Sequence, residues 1–319
     1  RSLAVMTMMT MTTACSSDDP LSNDSIIYGD DNDSSEGSSS SSSSTGTYSE
    51  MKTFTVAIDK TTAEPASAAT AQYPEEGDAL NTNNFGTIVN IDISNPVDPT
   101  VDGVTVTIDG HNVTVNHGST EGVCYVVTGT TTDGSLIVKG DASFELNLSN
   151  ANITSATTTA RDLESKGNAY LVVSGTNKLT DGATEDHKGT LYSKGKLMIS
   201  GDGSLDVYGT YKNGIHGKSN IVIDKGVNLY VKSTENNGIK AGDDMFINGG
   251  IINVEVSADG GKAINGDADI TINGGDISVT DATSYGIYSQ SGNVTINGGK
   301  ITATATGDYS YGIYANAID

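Results

Sequence analysis

Four carboxylates, Asp243, Asp244, Asp267 and Asp269, sit in neighbouring copies of a repeated stretch near the end of the chain. In register, Asn220, Asp244, Asp269 and Asn293 form one outward column. Carboxylates stacked one strand spacing apart repel each other. A hard cation such as calcium would relieve that repulsion by taking oxygen ligands from both. The plain alternative is a solvated acidic edge. A second set, Tyr192, His216, Lys240, Asn265, Tyr288 and Tyr314, follows a recurring Leu or Ile by one position. Rings, amides and a cation in one strip can hold a sugar chain by stacking and hydrogen bonding. The alternative there is a Tyr288–Tyr314 ladder that only stiffens neighbouring strands. Lys218, Lys240 and Lys262 lie near the acidic set. A lysine base beside calcium is the chemistry of β-elimination from a uronate. Lysines among carboxylates are more often simple ion-pair partners. Other catalytic patterns are missing: the chain has no Gly-x-Ser-x-Gly elbow, Walker loop or His-Glu-x-x-His.

These candidates gain meaning only through the elements that position them. The apolar triplets Leu197–Ile199, Ile221–Ile223, Met245–Ile247, Ile270–Ile272 and Val294–Ile296 start 24, 24, 25 and 24 residues apart. A period in this range means stacked supersecondary units that bury their apolar sides against each other. Each unit holds three short strands. The first carries Leu191, Ile215, Ile239, Ile264, Ile287 and Ile313, with Ser193, Gly217, Ala241, Gly266, Ser289 and Ala315 two positions on. The second is the triplet, followed by a Gly-rich turn with Asn248, Asn273 and Asn297 in register. The third carries Leu205/Val207, Leu229/Val231, Ile252/Val254, Ile277/Val279 and Ile301/Ala303. Alternate residues of a strand face one way, so like residues stack on like. The pattern predicts an all-β fold, a right-handed parallel β-helix of about 24 residues per turn. Helical periodicity is nowhere sustained.

Composition agrees. The chain of 319 residues is rich in Gly, Thr, Ser, Asn and Asp, with 5 Pro and no Trp. Its 40 acidic and 17 basic residues give a formal charge of −23. Such a surface repels phosphate backbones, which argues against nucleic acid as a partner. Cys15 and Cys124 lie in unrelated contexts, and Cys124 reads as a small buried apolar residue in a strand. His111, His117, His187 and His216 show no metal-ligand spacing.

Residues 1–15 join a basic start to a short run of apolar and small residues ending in Ala14-Cys15. This resembles the tail of a bacterial lipoprotein signal peptide, which implies lipid attachment at Cys15. Thr12 departs from the usual Leu of a lipobox. Residues 16–49, with seven serines from Ser38 to Ser44, read as a disordered acidic tether. Ser16-Ser-Asp-Asp19 resembles the acidic export signal of surface lipoproteins in Bacteroidetes-like bacteria. From residue 50 short alternating strands follow, among them Phe54–Ile58, Ile88–Ile93, Val104–Ile108 and Val113–Val115. They read as irregular first turns of one body, less regular over 50–165 and regular over 166–319, where the chain stops inside a repeat.

Several stretches together carry a family resemblance. They are Tyr125–Gly134, Leu171–Gly182, Leu191–Leu205 and the repeats that open Asn-Gly-Ile and close Ile-Asn-Gly-Gly. They resemble the carbohydrate-binding β-helix domain of bacterial surface and secreted proteins, whose fold is similar to pectate lyases. The resemblance spans roughly residues 50–319. It implies binding to a polysaccharide of cellulose or polygalacturonate type, with bound calcium. Many family repeats read Asp-Gly-Ile; here the equivalent residue is Asn213, Asn237, Lys262, Tyr285 or Tyr311. The combined expectation is a monomeric, non-catalytic polysaccharide binder, tied by lipid to the bacterial outer membrane at the cell surface or its periplasmic face. A calcium-dependent pectate-type lyase, and an adhesin or structural stalk, are the alternatives.

Overall fold

The computed structural model describes residues 53–61, 71–75, 77–80, 83–156, 159–182 and 188–319. Cys15, the 1–15 segment, the 16–49 tether and most of the polar insertion at 183–188 lie outside them. The described chain is all-β and forms the parallel β-helix that the repeat implies. First strands build a 10-stranded sheet. Second and third strands build a 16-stranded sheet that folds into two faces. The fold line lies in two long strands, Val123–Thr131 and Phe144–Thr154, whose register shifts between Val127 and Gly129.

Like sits on like through the stack. Leu191 pairs with Ile215, Ile215 with Ile239, Ile239 with Ile264 and Ile264 with Ile287. All five are fully buried. The small residues two positions on have a definite cause. A Cβ on Gly217 would meet Ile221 Cγ1 at 2.7 Å, because the first residue of the coming triplet packs there. Gly238 marks the preceding corner, where a Cβ would meet Val254 Cγ1 of the third face at 2.3 Å.

The corner asparagines also stack. Asn297 Nδ2 donates to Asn273 Oδ1 (2.8 Å), Asn273 Nδ2 to Asn248 Oδ1 (3.0 Å), and Asn248 Nδ2 to Asp224 (2.9 Å). Near the N-terminal end, His117 is 1% exposed and packs against Tyr125 and Phe144. Its Nε2 faces the Ala142 carbonyl (3.1 Å) and its Nδ1 the Tyr125 hydroxyl (3.0 Å). Those partners assign Nε2–H as donor and Nδ1 as acceptor of a neutral ring.

Two expectations change. Phe54–Ile58 belongs to no first turn. The strand Thr53–Asp59 lies antiparallel on Lys300–Thr306, the last strand of the third face. That face is therefore closed at its C-terminal end by the start of the described chain. Second, Thr105–Asp109 and Asn112–Asn116 form an antiparallel hairpin that edges the first face, turning at Gly110 with φ 59°. An alternating pattern states which residues of a strand are buried. It does not state which edge the strand joins, because that pairing is non-local.

Between these ends, residues 71–75, 77–80 and 83–85 strap the second face. Gln72 bonds Asn248 through both backbone groups (2.9 and 3.0 Å), and the Tyr73 hydroxyl donates to Asp224 (3.0 Å). Lys196 pairs with Glu75 and Asp78 at 2.8 and 3.0 Å. Asn83 donates to the Tyr170 hydroxyl, and Phe85 packs on its ring at 5.3 Å. Under the strap, the outward column reads Tyr170, Met198, Val222 and Phe246, then turns to Thr271 and Thr295. Tyr73, Leu80 and Phe85 cover the apolar part. Cys124 is buried in the same outward position. Its thiol donates to Glu145 (3.3 Å) and is pushed up to about 12, chiefly by burial.

Two predictions follow from this packing. Replacing Asn273 by Ala strands the partners on both sides and is expected to destabilise by about 1–3 kcal/mol, read by denaturant unfolding. Burial holds the His117 pKa below its ordinary value. The unfolded chain therefore takes up a proton near ~6.5 that the folded chain resists. The contribution is intact above that pH and falls as pH drops below it. The melting temperature of the parent should decline from pH 7 towards 5.5, more steeply than that of His117→Asn.

Candidate functional site

The first face presents rings, amides and lysines outward. Its strands place Tyr192, His216, Lys240, Asn265, Tyr288 and Tyr314 in one unbroken outward column, each paired in register with the next. Lys188 Nζ lies 5.5 Å over the Tyr192 ring, and the Tyr192 and His216 rings meet edge-on at 5.6 Å. Burial lowers the His216 pKa, and the Lys188 and Lys240 charges add to that. Asn265 faces outward yet is only 5% exposed, and its Oδ1 has no hydrogen-bond partner.

Beside this column runs a second one that the sequence reading did not include in the strip. Asn213 Nδ2 donates to the Lys188 carbonyl (2.7 Å), and Asn237 Nδ2 donates to Asn213 Oδ1 (2.9 Å). Asn237 Oδ1 accepts the Lys262 N–H (3.2 Å). The column then changes from amides to Lys262, Tyr285 and Tyr311. The two columns converge into a quilt of four rings. Tyr285 stacks on Tyr311 at 5.6 Å and 8°, and Tyr288 on Tyr314 at 5.6 Å and 19°. Tyr285 and Tyr288 join the columns at 4.6 Å. Both rings lie at the outer surface on either side of the buried Gly286 and Ile287, and a Cβ on Gly286 would meet the Gly312 carbonyl at 2.5 Å. The signal was present: Tyr-Gly-Ile-Tyr occurs at 285–288 and again at 311–314.

Lys262 Nζ stands over Tyr285 and Tyr288, at 5.7 and 5.2 Å from the ring centres. Burial lowers its pKa, and the neighbouring Lys240 charge adds to that. Lys240 itself is held by an ion pair to Asp267. Lys218 is exposed.

The four candidate calcium ligands are not gathered. Asp267 is taken by Lys240. Asp244 Oδ1 accepts the Asp269 N–H (3.1 Å), and Asp269 Oδ1 accepts the Asn293 N–H (2.8 Å). These two carboxylates join rungs as backbone acceptors, and Asp243 is exposed. Burial first, then the charges of Asp243 and Asp269, raise the Asp244 pKa. Among the described residues, no group of three or more His, Cys, Asp or Glu side chains is arranged to hold a metal ion. Asp243, Asp244, Asp267 and Asp269 thus come from two adjoining rungs, with Asp267 engaged by Lys240 and one oxygen each of Asp244 and Asp269 engaged by the backbone.

The family model for carbohydrate-binding domain-containing proteins matches residues 109–317. Among solved structures, the polysaccharide lyase-like protein from C. thermocellum, in a gadolinium derivative, aligns with a TM-score of 0.52 at 22% identity. That alignment covers 73% of this chain and 98% of the other, and the likeness is one of fold. No curated protein matches the chain.

The stacked rings should have a measurable weight of their own. Tyr311→Ala removes the partner of Tyr285 and is expected to cost about 0.5–1.5 kcal/mol beyond lost area. Denaturant unfolding reads the cost, and a weaker near-ultraviolet tyrosine dichroism reads the unstacking.

Proposed function

Since the chain belongs to the family of carbohydrate-binding domain-containing proteins, we propose that it binds polysaccharide on its first face without cleaving it. The observation that carries this reading is the four-tyrosine quilt with Lys262 above two of its rings. Sugar rings present C–H faces that pack on aromatic rings, while their hydroxyls need donors and acceptors at the rim. The quilt supplies the platform. Lys262, Asn265 and His216 supply the polar rim, and Tyr192 with Lys188 extends the strip toward the other end. A row of such positions, one per rung, suits an extended polymer better than a single sugar. In this reading Cys15 ties a monomeric binder to a bacterial outer membrane, through the tether of residues 16–49.

A lyase is the second reading. It is favoured by Lys262, a half-buried amine with a lowered pKa, and the structural neighbour is itself described as polysaccharide lyase-like. Lys262 would serve as the base in that chemistry.

Affinity electrophoresis through gels containing cellulose derivatives, polygalacturonate or host-type glycans, with and without calcium, tests both readings. Retardation by at least one glycan is expected, without release of unsaturated uronates into solution. The paired change Tyr288→Ala and Tyr314→Ala should weaken retention about tenfold or more, equivalent to ~1.4 kcal/mol. Free migration in every gel would remove the binding reading, and ultraviolet-absorbing unsaturated products would favour the lyase.

A further inference from the structure

One rung of the core breaks the aliphatic pattern at three places. Arg161 takes the inward first-strand position between Leu136 and Leu191. Ala169 stands where the adjoining rungs have Phe144 and Leu197. Asn177 stands where the next rung has Leu205. A cation, a small residue and an amide thus replace three large apolar side chains in a single turn. Such a coincidence within one rung makes room and polarity together.

The guanidinium is 0% exposed, and among the described residues its Nε, Nη1 and Nη2 have no hydrogen-bond partner. Two polar side chains of the same turn are bound to the backbone. Asn177 Oδ1 accepts the Ala151 N–H (2.8 Å), and its Nδ2 donates to the Ser174 and Ser204 carbonyls (2.9 and 3.3 Å). The Thr159 hydroxyl faces the carbonyls of Arg161, Gly189 and Thr190 at 2.7–2.9 Å. Burial pushes the Arg161 pKa down, to about 9.

A guanidinium carries five donors and keeps its proton in proteins. Leaving it dry, unpaired and charged is among the most unfavourable arrangements a core can hold. Water would satisfy the donors but leave the charge. A small anion satisfies both. The register neighbours of Arg161 are Leu136 and Leu191, and Ala169 stands where the adjoining rungs carry Phe144 and Leu197, so a small inorganic anion asks for the least room. We propose that this rung holds one halide-sized inorganic anion, chloride in ordinary buffers, bound to the Arg161 guanidinium inside the β-helix. The site is separate from the first-face strip and does not depend on how that strip is used. It makes the N-terminal half of the solenoid sensitive to the anion present.

Crystals of the unaltered protein soaked in bromide test the proposal directly. An anomalous peak within hydrogen-bond reach of the Arg161 guanidinium is expected. Water alone, a carboxylate of the chain, or bromide found only elsewhere on the molecule would overturn it. In solution, the melting temperature should rise when chloride replaces gluconate at constant sodium. Arg161→Met should abolish that rise. A parent protein indifferent to the exchange would also overturn the proposal. If the variant does not fold, the soak of the unaltered protein still decides.

Discussion

Each rung of a parallel β-helix must repeat the one below at a strand spacing of about 4.8 Å. At that distance every side chain lies against its own counterpart, so stability depends on whether a residue tolerates a copy of itself as neighbour. Aliphatic side chains tolerate it inside, where Ile215, Ile239 and Ile264 form an unbroken dry column. Asparagine tolerates it at the corner, because its amide donates one way and accepts the other. Tyrosine tolerates it outside through ring stacking. Carboxylates do not, and here they turn instead to the backbone N–H of the next rung.

This constraint explains what could be read from the sequence. Residues that must repeat announce themselves at a spacing of 23 to 26, so the triplets, the three faces and the outward column from Tyr192 to Tyr314 were all legible. The second half of the site was harder to see. Lys262, Tyr285 and Tyr311 share a column with Asn213 and Asn237, and Tyr285 lies three positions before Tyr288 rather than two, so strand alternation alone does not place Tyr285 and Tyr288 on one surface. The strap was illegible for a different reason. The described residues between 71 and 85 contact the second face through isolated backbone and side-chain groups with no period of their own. Yet the surface they cover is marked: its outward residues are apolar from Tyr170 to Phe246 and become threonines beyond.

The second face is covered by the strap, and the third is closed at its end by the strand Thr53–Asp59. The first face carries aromatic rings near one end and a lysine, histidine and amide strip towards the other. Interior demands for identity from rung to rung leave the outward residues free to differ. A graded surface on a uniform core is what results.

The closing strand also sets an order of events. Thr55 meets Thr304 across 249 residues of chain, so the first strand described cannot dock until the last rung exists. During synthesis the growing solenoid is an open-ended stack, and its terminal edge stays unpaired until the leading segment returns to it. Within the described residues the third face is consequently a closed loop in the mechanical sense. Tension applied ahead of Thr53 is met first by the strand Lys300–Thr306, far in sequence from the point of pull.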